Sequence, residues 1–270
     1  MYAILLNEQQ RLDLQKTATI LAKAENLVYG DATHAVRTCT GILAKNLPAH
    51  EAEAIAAELN ANGVGCFVMA MAEFYYPPEA RVLSRIELGP EAFGPMDLYG
   101  RVVPVPWGSI ILLSVGHIGP QQRERFSLGD TAVEQGIAAG AGGVLGGPYY
   151  MGGARLTGPE YDQPKQKITT KATYVLDIFG RAPAEGHWRI EHNAFSYACL
   201  GADLRPRGDE NFRVLVGEIV RLATSCYGNR GLNSFLENAP EKTYSYDGIR
   251  HFDEENLWLL QKVYLNLRAQ

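Results

Sequence analysis

The stretch Tyr99–Gly119, YGRVVPVPWGSIILLSVGHIG, decides the fold that this sequence predicts. It contains two segments typical of β-strands, which meet near a pair of prolines, and the second continues into the apolar run Ile110–Leu113. Trp107 stands at the start of that second segment, so its side chain is expected to be buried. No catalytic motif occurs here. The stretch therefore predicts the core of a β-sheet and leaves the function open.

Composition sets limits on the class of protein. The chain has 270 residues, enough for two domains, and is 46% hydrophobic and 20% charged, as globular proteins are. Its net charge is −5 and it has no run of Lys or Arg, so nucleic acid is not an expected partner. No apolar stretch reaches the ~18 residues of a membrane helix, which argues against an integral membrane protein.

The four cysteines, Cys39, Cys66, Cys199 and Cys226, lie far apart and form no C-x-x-C pair. Neither a zinc knuckle nor a thioredoxin-like site follows from this spacing, and free thiols in a reducing compartment are expected. The first residues, MYAILLNEQQ, lack the basic region of a signal peptide. These features together predict a soluble cytoplasmic protein.

Residues 1–72 predict the order β-α-α-β-α-β, a two-layer sandwich with its helices on one face of the sheet. Asn7, with Gln10 three residues later, forms a capping-box pattern for the first helix, and Asp31 is placed to cap the second. The third helix, Pro48–Asn62, ends at Gly63. The predicted strands are Tyr2–Leu6, Thr40–Lys45 and Val64–Ala70.

The segment GILAKNLPAHEAEAIAAELNANGVGCFVM, residues 41–69, resembles the C-terminal domain of the bacterial ribosomal stalk protein. The adaptor ClpS shares that architecture. The resemblance implies a small binding fold. The stalk family is implied to bind translation factors through a basic helix, whereas the corresponding DATHAVRTC here carries Arg37 as its only strong cation.

A stiff linker, EFYYPPE at residues 73–79, precedes a second region at 81–224. This region predicts several antiparallel strands, among them Thr173–Phe179 and a long strand Trp188–Leu200 that bends near His192, with Trp188 buried. The helix that begins at Asp209 has the apolar stripe Phe212, Leu215, Val216, Ile219 and Leu222. Such a helix is expected to cap one end of a half-open barrel.

With its segment VPWGSI, residues 105–110, this region resembles bacterial pleckstrin-homology-like domains. The resemblance implies a β-barrel closed by a C-terminal helix, and binding of phosphoinositide head groups or peptides rather than catalysis. The turn GPEAFGP, residues 89–95, contains no Lys or Arg, so phosphoinositide binding is not expected. The predicted fold class is therefore α+β, a stalk-like sandwich followed by a pleckstrin-homology-like barrel.

An insert at 121–171 contains GIAAGAGGVLGGPYYMGG, residues 136–153. It has neither the lysine of a Walker loop nor the G-x-G-x-x-G spacing, so no phosphate cradle is expected. Its apolar centre is expected to contact a protein partner or a second copy of the chain, through Val144, Leu145, Tyr149, Tyr150 and Met151. A helical extension at 225–270 ends in a helix capped by Asp253, which packs back on the body or docks on a second subunit.

The histidines offer little chemistry. His187 and His192 are five residues apart on a predicted strand, so they point to opposite faces, although His117 could approach them to form a zinc site. No nucleophile elbow is present. We expect no catalytic residue, no metal and no cofactor. The sequence predicts a non-enzymatic interaction module; the alternative is an enzyme or small-ligand-binding protein with a pocket near His117 and His192, with Glu191 as a further candidate.

Overall fold

The computed structural model describes residues 1–24, 28–96, 100–120, 122–124, 167–169, 171–181 and 186–268. The chain divides into two compact units, one of Met1–Gly119 with Ala172–Gln270 and the other of Pro120–Lys171. Helices and antiparallel or mixed sheets occur side by side, so the predicted α+β class is confirmed.

The first region has the predicted order of elements, β1 (Tyr2–Leu6), α1 (Leu14–Ala24), α2 (Tyr29–Thr38), β2 (Ile42–Leu47), α3 (Ala49–Ala61) and β3 (Cys66–Ala70). The central strand β1 pairs antiparallel with both β2 and β3. Its residues Ala3–Leu6 are buried because helices cover the sheet. The predicted β-α-α-β-α-β order is therefore confirmed.

The start of α1 differs from the prediction. Asn7 does not cap this helix, because its backbone N–H donates to the carbonyl of Gly65 (3.0 Å) and extends the chain past β3. The helix begins at Leu14, and the Asp13 carboxylate accepts from the backbone N–H of Lys16 (3.1 Å). The capping residue is thus the last acidic residue before the helix.

The second region contains more and shorter strands than predicted. Its elements within the first unit are β4 (Arg81–Leu83), β5 (Ile86–Leu88), β6 (Ala92–Pro95), β7 (Val105–Pro106), β8 (Ile110–Ile118), β11 (Thr173–Gly180), β12 (His187–Glu191), α4 (Gly208–Leu222), β13 (Tyr227–Gly228), α5 (Arg230–Leu236), β14 (Ser245–Tyr246) and α6 (Ile249–Arg268). In the other unit, β9 (Gln122–Glu124) and β10 (Lys167–Thr169) pair antiparallel.

The main sheet has six strands in the order β13-β8-β11-β12-β4, with β14 beside β8, and a second sheet has the order β5-β6-β7. The long strands β8, β11 and β12 are antiparallel neighbours, whereas β4, β13 and β14 pair parallel at the edges. No described strand joins the two edges, so the predicted helix-capped barrel is not found as a closed barrel in this part of the chain. The edge strands have two or three residues each.

The predicted long strand over residues 188–200 is wrong beyond Glu191. The chain leaves the sheet there and forms two 3-10 segments, His192–Ala194 and Tyr197–Asp203. Burial of both tryptophans is confirmed, since Trp107 is 5% and Trp188 3% exposed. Both belong to one core in which the predicted apolar stripe of α4 packs against the main sheet.

The opposite face of the main sheet is covered by α6. Phe252 packs near Ile118 and Val175, and Leu260 and Val263 pack near Leu112 and Phe179. The helix therefore packs back onto its own chain. The interpretation of Asp253 as its cap is wrong, because the helix begins at Ile249 and the Asp253 side chain pairs with a sheet residue.

The same helix also reaches the first region. Trp258, 2% exposed, belongs to the apolar core around β1, and its indole N–H donates to the carbonyl of Leu6 (2.9 Å). The division into 1–72, 81–224 and 225–270 stays a prediction. None of the helices in the described ranges has the length and apolarity that crossing a membrane requires.

Candidate functional site

The structure does not place the partner-binding residues that the sequence predicts. Val144, Leu145, Tyr149, Tyr150 and Met151 lie outside the described residues. The interaction role assigned to them stays a prediction.

Two of the three candidate histidines, His117 and His192, lie close to Tyr174. The rings of His117 and His192 have their centroids 5.1 Å and 5.9 Å from that of Tyr174, and His192 Nδ1 lies 2.8 Å from the Tyr197 hydroxyl. Burial lowers the pKa of His192, opposed by Asp209. The neighbouring pocket, about 80 Å³, is too small for most ligands.

His187 lies on the opposite face of the sheet, so the three histidines do not converge. Within the described ranges, no group of three or more His, Cys, Asp or Glu side chains could hold a metal ion. The alternative of an enzyme or ligand site at His117 and His192 stays a prediction without added support.

The structure instead builds a site from charged residues on β11 and β12. Asp177 lies in the middle of the apolar strand TYVLDIFG and is fully buried, 0% exposed. Its register partner on β12 is Arg189, and the neighbouring pair in register is Phe179 with His187. Because side chains alternate along a strand, all four point away from the core that contains Trp188. They point towards α6.

The hydrogen bonds of Asp177 define the site. Oδ1 accepts from Arg189 Nε (2.7 Å), and Oδ2 accepts from Arg189 Nη2 (2.6 Å). Oδ2 also lies 3.0 Å from His187 Nε2 and accepts from Asn256 Nδ2 (3.1 Å). Arg189 Nη2 further donates to Asp253 Oδ1 (2.5 Å). We call these five residues the Asp177 cluster.

Charge pairing makes this burial tolerable. Burial alone would raise the pKa of Asp177, but the hydrogen bonds from Arg189 and His187 outweigh it and hold the pKa below its ordinary value. Burial would lower the pKa of Arg189, and its bond to Asp177 raises it instead. Asp253 reaches solvent, with 48% of its side chain exposed. The cluster thus keeps Asp177 and Arg189 ionised.

His187 is fixed on both sides. Its ring stacks on Phe179, with the centroids 4.2 Å apart, and its Nδ1 lies 3.3 Å from the carbonyl of Pro78. Both ring nitrogens therefore face acceptors within the protein. Neither is free to act as a base on a bound molecule, and the same holds for the carboxylate of Asp177.

A pocket of about 450 Å³ opens above the Asp177 cluster, and we call it the linker pocket. One wall is the linker segment 77–80, another is the exposed Val82 of β4, and α6 contributes Asp253 and Asn256. β12 contributes three residues from one face, His187, Arg189 and Glu191. The volume falls within the range of small-molecule and side-chain binding sites, about 300–1,000 Å³.

The linker wall is held in place by α6. The buried Gln261 side chain accepts from the backbone N–H of Tyr75 (2.8 Å) and donates to the carbonyl of the same residue (2.9 Å). The Tyr75 ring stacks on Tyr264 with centroids 4.1 Å apart. The linker is therefore anchored immediately before the prolines of the pocket.

Replacing Gln261 with Ala should lower the free energy of unfolding by about 1–3 kcal/mol, because two hydrogen bonds to the backbone of Tyr75 are lost. Urea denaturation of the full chain measures this. Gln261→Met keeps most of the side-chain volume but neither hydrogen bond to Tyr75, so it separates the loss of these bonds from the loss of packing. A Gln261→Ala variant as stable as wild type would show that the linker is held by other contacts.

Sequence reasoning missed the Asp177 cluster, although two signals were present. A single Asp interrupts the apolar run of β11, and β12, HWRIE, alternates polar with apolar residues. Together they predict a charged pair across two strands. Asn256 gives no such signal, because only the packing of α6 brings it to the sheet.

Comparisons with protein-family models, with curated proteins and with solved structures find no match to this chain. The resemblances to the stalk domain and to pleckstrin-homology-like domains stay predictions. Function is therefore argued from the linker pocket itself.

Proposed function

We propose that this protein is a non-enzymatic interaction module that binds an extended segment of a partner protein at the linker pocket. The observation that carries the proposal is the state of the pocket floor. Asp177, His187 and Arg189 are hydrogen-bonded to each other, and His187 also contacts the backbone carbonyl of Pro78. Their positions are therefore fixed, and they are not free to act as acids or bases on a ligand. Such a floor recognises a ligand and does not transform it.

The surroundings of the pocket favour a protein segment over a small molecule. β4 is an edge strand of the main sheet, with no strand beyond it among the described residues. An extended peptide can add to such an edge and place a side chain in an adjacent pocket. Val82 of β4, 58% exposed, provides apolar contact area in the lining of the pocket. A cytoplasmic location is part of the proposal.

Selection from a displayed library of random twelve-residue peptides, against the full-length protein, tests this function. Ala80, which lines the pocket, is replaced by Trp to fill it. The matched control is Ala57→Trp, on the exposed side of α3. Selected peptides should bind Ala80→Trp at least about tenfold more weakly than wild type, and Ala57→Trp as wild type does.

Mass spectrometry of the bound peptide distinguishes binding from catalysis, and an unchanged mass is expected. A cleaved or modified peptide would support the enzyme alternative. Equal binding to Ala80→Trp and wild type, or a library from which nothing is selected, would overturn the proposal. Light scattering shows whether a second copy of the chain occupies the pocket, in which case the mass of the Ala80→Trp variant alone would fall.

A further inference from the structure

The linker pocket has an excess of negative charge. Glu79, Glu191 and Asp253 contribute carboxylates to its lining, and Arg189 is the only Lys or Arg among the described residues that line it. That guanidinium is already paired with the buried Asp177 and with Asp253. Neither Glu79 nor Glu191 forms an ion pair with a described residue. A cationic ligand would compensate this charge.

A second, independent feature also favours a cation. Asn256 lines the pocket and is 2% exposed. Its Nδ2 donates to Asp177, which fixes the orientation of the amide, and its Oδ1 has no hydrogen-bond partner among the described residues. This buried acceptor is enclosed, so it forms no bond to a ligand, but its partial negative charge adds to the potential that favours a cation in the pocket. An ammonium group has three donors and a guanidinium group five, and neither has an acceptor.

The remaining walls suit an aliphatic stem. Pro77, Pro78 and Val82 present apolar surface to the pocket. Lys and Arg side chains bury their methylene groups against such surface while the charged head contacts polar atoms. An acidic side chain would meet the carboxylates of Glu79 and Glu191 and be rejected.

We infer that the linker pocket recognises an Arg or Lys side chain of the partner segment, with the carboxylates of Glu191 and Asp253 as the groups that receive its cationic head. This inference deepens the proposed function and rests on it. It names the chemical class of the ligand, which the binding of a segment alone does not require.

Four blocked nine-residue peptides of Ala and Ser test it, with Arg, Lys, Gln or Glu at the central position. Binding to the full-length protein is measured by fluorescence anisotropy at two salt concentrations. The Arg and Lys peptides should bind at least about tenfold more tightly than the Gln peptide, with the Glu peptide weakest. Higher salt should weaken the Arg peptide more than the Gln peptide. A Gln or Glu peptide that binds as tightly as the Arg peptide would overturn the inference.

Variants assign the selectivity to the pocket. Glu191→Gln should reduce the preference for Arg over Gln about three- to tenfold, and Glu191→Lys should reverse it in favour of the Glu peptide. The matched control is Glu53→Gln, an exposed carboxylate on α3, which should leave the preference unchanged. A preference that survives Glu191→Lys would place the cation elsewhere and refute the assignment.

The two proposals fail in different ways. If library selection yields pocket-dependent peptides without Lys or Arg, the cation inference fails and the proposed function stands. If free arginine amide binds as tightly as the Arg peptide, the cation chemistry stands and recognition of a protein segment fails. Pocket-dependent peptides enriched in Lys or Arg, with weak binding of arginine amide, would support both.

Discussion

Replacing Asp177 with Asn is expected to lower the free energy of unfolding by about 3–5 kcal/mol, because the buried Arg189 loses its buried carboxylate partner and keeps only its bond to the half-exposed Asp253 among the described residues. The amide has nearly the same shape, so packing changes little and the loss reflects charge. Equilibrium denaturation in urea, followed by circular dichroism, measures the effect. Asp209→Asn is the matched control, since its pair with Arg207 is largely exposed and is worth at most about 1 kcal/mol.

A double variant tests the interpretation further. With Asp177→Asn and Arg189→Gln together, the buried guanidinium that has lost the Asp177 carboxylate is also removed, so the double variant should be more stable than Asp177→Asn alone. If the free energy of unfolding of Asp177→Asn lay within about 0.5 kcal/mol of that of wild type, the stabilising role assigned to the Asp177–Arg189 pair would be contradicted.

The Asp177 carboxylate also makes the free energy of unfolding depend on pH. Because the pKa of folded Asp177 lies below its ordinary value of about 3.9, its contribution to stability is complete above that pH and is lost as the pH falls through the folded pKa. Burial raises the pKa of Glu255, which acts in the opposite direction. The difference in free energy of unfolding between wild type and Asp177→Asn isolates the contribution of Asp177. It should be constant near neutral pH and shrink below about pH 4.

Trp258→Ala should have an effect of similar size, about 3–5 kcal/mol, through a cavity in the core of the first region. The loss of the indole N–H also leaves the Leu6 carbonyl without this partner. Trp258→Phe keeps most of the ring and should cost less. Hydrogen exchange provides the readout, and protection of β1 should fall more than that of β11. Equal loss in both strands would show that the contact does not act locally.

Gly41 provides a check on this contact. Its φ is +137°, and a Cβ built on it would lie 2.2 Å from Trp258 Cδ2. Gly41→Ala should therefore be destabilising in wild type and clearly less so in the Trp258→Ala background, where the clash is absent. The backbone cost of the positive φ remains in both. Identical effects in the two backgrounds would contradict the close approach.

Local patterns predicted the first region well. The apolar spacing of α1 and α3 and the glycine after α3, with φ +83° at Gly63, depend on neighbours in the sequence. The order of six elements followed from such signals. Predictions that needed distant partners were less successful, because the closed barrel depended on pairing between strands far apart in sequence. The strand predicted to continue to Leu200 ends at Glu191, because the chain leaves the sheet at that residue.

In the candidate site, too, local sequence patterns could indicate some features, whereas others depend on residues far apart in the sequence. Alternation in β12 could have indicated that His187, Arg189 and Glu191 share a face. Asp253, by contrast, has the local features of a helix cap, and only the three-dimensional structure reveals its bond to Arg189. Asn256 and the linker reach the pocket through packing of α6, for which the sequence contains no local signal.

The dependence of this protein on α6 has a consequence for its synthesis. A chain leaves the ribosome from its N-terminus, so Asp177 and Arg189 are made before Asn256 and Trp258. Until the last helix emerges, the charged face of the sheet stays in water and the space for Trp258 stays open. A nascent chain stopped before residue 256 would therefore expose an incompletely covered sheet in both regions at once. Such a product is a natural substrate for chaperones and proteases.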